Sequence, residues 1–462
     1  MKSYRELIEQ TFEFPQEEFK VWEHELLFND VPLMDIIKQY GTPLKITYLP
    51  RISENIRFVQ ATFNKAIEKF KYKGTYTYCY CSKSSHFSFV MEEALKNNTH
   101  LETSSSFDIP IIRELYERGK ITKDHYILCN GFKMPLYTQY ISDLLNDEFN
   151  CVPILDTLEE IDIYEQKVDK RFRVGIRVAS DEEPNFDFYT SRLGIRYSDI
   201  TPLYKDKIEK SQKASLKMLH FFINTGIKDT AYYWSELSRF IFKYCELKKI
   251  CPTLDSIDIG GGFPIKTSLT FQYDYKYMIE QIVENIKWIC DKNNVEVPHI
   301  FTEFGSYTVG ESGAVLYSVV NQKLQNDKEL WYMVNGSFIT HLPDAWGLKQ
   351  KYVLLAVNKW DDPYHKVNIG GLTCDSMDYY NSESHTGEVF MPMINDEEPL
   401  HIGFFHTGAY QESLGGYGGI QHCLIPAPQH VLVDRNEDGE ITTKLFAAAQ
   451  TSESMLKLLG YK

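Results

Sequence analysis

The sequence predicts an α/β protein, a (β/α)8 TIM-like barrel followed by a C-terminal mostly-β domain. Eight short apolar runs lie between about residue 75 and residue 305, and an amphipathic stretch follows each of the first seven. Strands separated by helices at that spacing build parallel βα units, and eight of them argue for closure. After about residue 310 the helical stretches thin out and strand-like runs dominate. Periodicity alone leaves a doubly wound open sheet as the alternative for the first region.

The first run, Thr75–Cys81, is rich in tyrosine and threonine, which favour strands. Helical spacing runs from Phe87 to Lys96. A short strand at His100–Thr103 precedes a helix near Ile109–Glu117. Tyr126–Cys129 and Val152–Leu155 read as strands, with helices at Tyr137–Leu145 and Leu158–Glu165. Phe172–Val178 is a strand, followed by a polar loop and a long helix near Lys205–Met218. Strands at Leu219–Ile223 and Ser256–Ile259 are followed by helices at Trp234–Leu247 and Tyr275–Cys290, and His299–Glu303 closes the series. Beyond it, Ala314–Val320, Leu330–Val334, Tyr352–Val357, Lys366–Thr373, Glu388–Met393, His401–His406, His430–Val433 and Ile441–Phe446 read as strands. Pro343, Pro363, Pro426 and Pro428 punctuate them. The expected division is an N-terminal segment 1–37 pairing with the β domain, a barrel over 38–310 and a β domain over 311–462.

A chain of 462 residues has room for two domains and a large core. Its 49 basic and 64 acidic residues leave a net charge of -15, which disfavours nucleic acid and anionic lipid as partners. No apolar run reaches the length of a membrane span, and residues 1–19 carry no continuous apolar stretch of a secretory signal. The nine cysteines are odd in number and diffusely spaced, which fits a reducing cytoplasm and no zinc set.

Barrel enzymes place their chemistry at the C-terminal ends of the strands. Lys83, Glu102, Asn130, Asp156, Arg177, Asn224, Gly260–Gly262 and Glu303 stand there. A lysine at a desolvated face can act as an amine nucleophile, although a strand-end lysine is more often a surface residue. The run Asp258-Ile-Gly-Gly-Gly-Phe-Pro264 lets backbone N–H groups approach a phosphate, and it matches neither dinucleotide nor P-loop patterns. A carboxylate such as Glu303 can keep a pyridine nitrogen protonated, or simply end a strand. In the β region, Leu372–Asp378 sets a thiol beside two carboxylates, and Gly408–Ser413 places a tyrosine among small residues. Such groups can donate a proton, hold a cation and bind phosphate, or serve only as core.

In this order the segments resemble the fold-type III, alanine-racemase-like, pyridoxal-phosphate-dependent decarboxylases of basic amino acids, from about residue 38 to the C-terminus. Tyr80-Cys-Ser-Lys83 matches the family's Schiff-base lysine pattern. Glu102 matches its second-strand acid, and Gly260, Gly261 and Gly262 its phosphate glycines. Glu303-Phe-Gly305 matches the segment whose glutamate holds the pyridine nitrogen, and Tyr410 the phosphate tyrosine. Cys374-Asp375 matches the pair donated by the second subunit of the family's dimers. Leu342–Gly347, Cys374–Ser376 and Gly408–Glu412 are in the style of biosynthetic arginine decarboxylases, although this chain is shorter than that subgroup's usual members.

The resemblance implies pyridoxal 5'-phosphate as cofactor, no metal, a small cationic amino acid as substrate and a homodimer with shared sites. It implies decarboxylation of L-arginine to agmatine in polyamine synthesis, with Lys83, Glu303 and Cys374 catalytic and Asp375, with Asp378, on the distal cation. Diaminopimelate, ornithine, lysine or a carboxylated polyamine are the alternative substrates, and a catalytically weak partner of an active paralogue is the alternative role. Two departures stand out. In His220-Phe-Phe-Ile-Asn-Thr-Gly226, Phe222 falls where the family's stacking histidine lies, with Thr225 near the phosphate. Ser306 follows Gly305 where the family has arginine, which predicts a weaker grip on the cofactor.

Overall fold

The computed structural model describes Tyr4, Phe14 and residues 16–180, 191–395, 398–412 and 422–462. The chain forms two compact units, one of Met1–Ile52, Ile265–Gln272 and Val309–Lys462, the other of Ser53–Pro264 and Tyr273–Thr308. No helix among the described residues is long and apolar enough to cross a membrane.

The second unit is a closed barrel of eight parallel strands, so the open-sheet alternative is removed. In chain order the strands are Tyr76–Cys81, His100–Thr103, Ile127–Cys129, Cys151–Leu155, Phe172–Arg177, Ala214–His220, Ser256–Asp258 and His299–Phe304. The last pairs with the first, Ile300 opposite Tyr76 and Phe304 opposite Tyr80, which closes the ring. Inside it, Cys79, Leu128, Val152, Ile154, Met218 and Phe301 pack as one buried cluster. These are the inward-facing members of alternating strand residues, and they fill the barrel as a core rather than leaving a pore. Two outer helices start where side chains take up orphan N–H groups: Thr230 accepts from the Tyr233 amide before Ala231–Lys248, and Asp274 from the Tyr277 amide before Tyr275–Asn293. The second stops at Asn294, whose left-handed conformation asparagine tolerates.

One expected element is corrected. The long helix near Lys205–Met218 ends early: an α-turn segment Tyr197–Leu203 runs into a π-helical turn Tyr204–Ile208, and Ala214–His220 is the sixth barrel strand. Ser211 makes the change, its Oγ accepting the amides of Lys213 at 3.0 Å and Ala214 at 2.6 Å. In the strand, Leu216 and Met218 are buried and Lys217 is held 2.9 Å from Asp255, so pairing in the barrel outweighs helix propensity.

The first unit is mostly β. The strand Gly313–Gln325 runs through its main sheet, antiparallel to Glu329–Val334, His401–Phe405 and Leu44–Tyr48. Leu44–Tyr48 also pairs in parallel with Gln429–Arg435, which continues to Ile441–Ala447. Near the N-terminus, Phe19–Trp22, Glu25–Phe28 and Val31–Pro32 form a separate three-stranded sheet. The Leu26 amide donates to the Val357 carbonyl at 2.7 Å, and Phe19, Leu26, Phe28 and Val31 join the same core as Leu316, Phe338 and Phe404. Phe404 is ringed edge-on by Tyr317, Phe338 and Tyr380, with centroids 5.0–5.9 Å away.

Candidate active site

At the C-terminal end of the barrel the first strand gives way to a one-turn helix, Ser82–Ser84, which presents Lys83. Lys83 Nζ lies 3.6 Å from Glu102 Oε2 on the second strand; the lysine is partly exposed, the glutamate fully buried. Cys81 donates its S–H to the same Glu102 oxygen at 2.6 Å. Asn130, just past the third strand, donates through Nδ2 to Glu102 Oε1 at 3.2 Å and to Glu303 Oε1. Glu303, on the eighth strand, meets His220 of the sixth at 3.1 Å. Asp258 ends the seventh strand, and its Oδ1 accepts the Gly260 amide at 2.8 Å. The ligating atoms of His220, Asp258 and Glu303 lie within 4.8 Å of one another. Strands far apart in sequence thus bring one amine, three carboxyls, an imidazole and an amide together.

So many acids in one dry place cannot all ionise. Burial pushes Asp258 well above the carboxylate range, and the Glu303 charge adds to it. Burial also raises Glu102, against the pull of the Lys83 ammonium. Burial opposes the charge on Glu303 too, but the His220 imidazole and the Lys83 ammonium outweigh it and hold Glu303 below its ordinary value. Cys81 is raised by burial and then by the Glu102 charge, so its sulfur keeps its proton. Glu303 is therefore the carboxyl of the cluster that most favours its ionised form.

Beside it is a small-residue cradle. A Cβ on Gly261 would lie 2.2 Å from the Glu303 carbonyl oxygen, and Gly262 has a φ of +112°, closed to ordinary side chains. Next to these glycines the Asn224 amide and Thr225 Oγ1 are shielded from solvent with no hydrogen-bond partner among the described residues. A Cβ on Gly305 would come within 3.0 Å of the Ser84 side chain. Ser306, half-buried, opens the turn Ser306–Val309. Phe222 is exposed at the barrel end, its ring centroid 5.7 Å from the Arg177 guanidinium.

The remaining predicted residues lie in the other unit. Cys374 is exposed, its Sγ 3.2 Å from that of Cys423. Asp375 Oδ1 accepts the Met377 amide at 2.7 Å, and its Oδ2 lies 3.9 Å from His422. Asp378 is buried, and its carboxylate accepts the Phe338 amide and both the amide and hydroxyl of Thr373. Its charge is thereby committed to holding the turn before Tyr379. Tyr410 is half-buried with a φ of +68°. The sequence reading places Asn130 and Asp258 at strand ends without a role, and gives none to His220 or Cys81. The signal for them is positional: each stands at or just past a barrel-strand terminus.

The family model "pyridoxal-dependent decarboxylase, pyridoxal binding domain" matches residues 56–310. The biosynthetic arginine decarboxylase of Prochlorococcus marinus (strain MIT 9215) is 22% identical over 548 residues, covering 92% of this chain and 83% of its own length. The crystal structure of the biosynthetic arginine decarboxylase of Campylobacter jejuni superposes with a TM-score of 0.82 at 20% identity, covering 97% of this chain and 89% of that one. The diaminopimelate decarboxylase of M. jannaschii, solved with L-lysine, gives 0.78 at 15% identity, covering 95% and 97%. With more than half of its length matched by that model, and with the barrel and β unit that these solved chains share, this chain belongs to the fold-type III pyridoxal-phosphate-dependent decarboxylases, a family of carboxy-lyases.

Proposed function

We propose that the chain decarboxylates L-arginine to agmatine and CO2, as a homodimer in the cytoplasm, in polyamine synthesis. The observation that carries the chemistry is the Lys83 amine, 3.6 Å from Glu102, in one strand-end cluster with a buried Glu303 that His220 and Lys83 hold below its ordinary pKa. The barrel residues fit the cofactor: Asn224 and Thr225 offer buried, unpartnered polar atoms beside glycines whose side chains would fill the space. Pyridoxal phosphate, when bound, supplies an electron sink for the pair released with CO2.

The chain's own groups divide the work. Lys83 would hold the cofactor's aldehyde, with Glu102 nearby keeping the amine oriented. Glu303, fixed by Asn130 and His220, would hold the ring nitrogen in its protonated form. Gly260, Gly261, Gly262, Thr225, Ser306 and Tyr410 would surround the phosphate, with Gly305 giving the close approach. Phe222 would offer an apolar face where the family has an imidazole. Cys374 of the partner subunit would return a proton to Cα, and Asp375 of the partner subunit would pair with the guanidinium. The assignments of Cys374, Asp375 and Tyr410 rest on the resemblance. With the Asp378 carboxylate spent on Phe338 and Thr373, Asp375 takes the larger share of the cation.

Arginine is favoured by the names of the relatives. A second reading, diaminopimelate or lysine as substrate, is supported by TM-scores of 0.78 and 0.66 with solved decarboxylases named for those compounds. The test supplies cofactor and offers arginine, ornithine, lysine and diaminopimelate separately, with mass spectrometry of the amines and K83A as control. Agmatine alone, lost in K83A, supports the proposal. Cadaverine, putrescine or lysine as the product replaces arginine with another substrate, and no amine from cofactor-loaded protein sinks the decarboxylase reading of these four.

A further inference from the structure

Seven of the nine cysteines are buried; Cys374 and Cys423 are the two exposed ones. Forty-nine residues apart in sequence, their sulfurs lie 3.2 Å from each other. The Cys374 backbone N–H points at Cys423 Sγ from 3.4 Å. His422 adjoins Cys423 in the chain, and its ring reaches the same cluster, all ligating atoms lying within 4.8 Å. The other close pairs, Cys129 with Cys151 at 3.5 Å and Cys245 with Cys290 at 3.9 Å, are buried and out of reach of a solvent-borne reagent.

This arrangement gives the two sulfurs different tasks. The Cys374 backbone N–H is directed at Cys423 Sγ, and the His422 ring stands in the same cluster. A thiolate attacks a disulfide, and a directed N–H donor favours attack by the sulfur that it faces, which gives Cys423 the attacking role. Cys374 is held above the ordinary thiol value chiefly by its contact with Cys423. It is the resolving partner, its sulfur already 3.2 Å away.

We propose that Cys374 and Cys423 form a reversible disulfide, with a low-molecular-weight disulfide as the oxidant. The Cys423 thiolate attacks one sulfur of the oxidant RSSR, forming a mixed disulfide and expelling RS⁻. Cys374, losing its proton to solvent, attacks Cys423 Sγ and expels the second RS⁻. Two protein thiols are oxidised by two electrons and one RSSR is reduced to two RSH. On the decarboxylase reading above, on which only this consequence rests, oxidation removes the Cys374 proton and lowers turnover.

The test treats the chelator-washed, cofactor-loaded protein with oxidised glutathione and then with dithiothreitol. Non-reducing peptide mass spectrometry is expected to find a Cys374–Cys423 cross-link that dithiothreitol reverses and that C423S and C374S each abolish. Glutathione left as a stable mixed disulfide on either sulfur, or two sulfurs that stay alkylatable, overturns the proposal. Activity is a separate readout: the oxidised wild type should lose roughly a hundredfold in rate, while C423S keeps its own untreated rate after the oxidant. A cross-link with undiminished activity overturns the proton role of Cys374 and leaves the disulfide standing.

Discussion

Glu303 Oε2 lies 3.1 Å from His220 Nε2, and both side chains are buried. The contact joins the eighth barrel strand to the sixth across the seventh, and it sets which carboxyl of the cluster carries the charge. Removing the imidazole leaves a desolvated carboxylate supported by Asn130, Lys83 and Asp258. His220→Leu should cost about 3 kcal/mol in urea unfolding, as breaking a buried charged pair does. His220→Gln, which can still donate a hydrogen bond, should cost about 1 kcal/mol.

The glycine cradle has little room to give. The Cβ of Gly261→Ala would sit 2.2 Å from the Glu303 carbonyl oxygen, a backbone atom that cannot rotate away. The variant should lose about 1–3 kcal/mol of stability and bind pyridoxal phosphate more weakly, read by thermal unfolding and by absorbance titration. Gly347→Ala, with nothing within 4 Å, is the control and should bind the cofactor like wild type.

Ser306 offers one hydroxyl where the family pattern has a guanidinium. Ser306→Arg should tighten pyridoxal phosphate roughly tenfold, about 1.4 kcal/mol, through charge-assisted contacts to phosphate. Equilibrium titration of cofactor-stripped protein measures it, and an unchanged Kd would place Ser306 away from the phosphate.

Outside the barrel, burial pushes Glu383 up to about 8 against the opposing Leu354 amide and Lys351 charge. The folded protein therefore keeps this proton after the unfolded chain has released it. The associated stability is whole below about pH 4.5 and is lost as pH rises toward 8, on the order of 3 kcal/mol by pH 7. Glu383→Gln, which preserves the acceptor for the Leu354 amide, should be more stable than wild type at pH 8 and equal to it near pH 4.5. His341, depressed by burial to about 3, works in the opposite sense, its contribution being lost as pH falls from 6.5.

The barrel was legible because each strand is a short apolar run between amphipathic helices, and the Lys83, Gly260–Gly262 and Glu303 segments mark three of its ends. Ala214–Met218 was read as the end of a helix, and only Leu219–Ile223 as strand, because Lys205–Met218 is rich in lysine; the Ser211 turn and the Lys217–Asp255 pair that decide the matter are tertiary. Leu44–Tyr48 was missed as a strand, since its partners lie about 270 and 385 residues later in the chain. The network of Asn130, His220 and Asp258 around Glu303 was hidden for the same reason: strand-end residues reveal that they face one axis, but not which atoms meet.

The most direct test of the central claim, that Lys83 holds the cofactor, is borohydride reduction of the pyridoxal-phosphate-loaded protein followed by peptide mass spectrometry. The account predicts a phosphopyridoxyl group on the peptide containing Lys83, absent from K83A. A label on another lysine, or none on protein that demonstrably binds the cofactor, would contradict it.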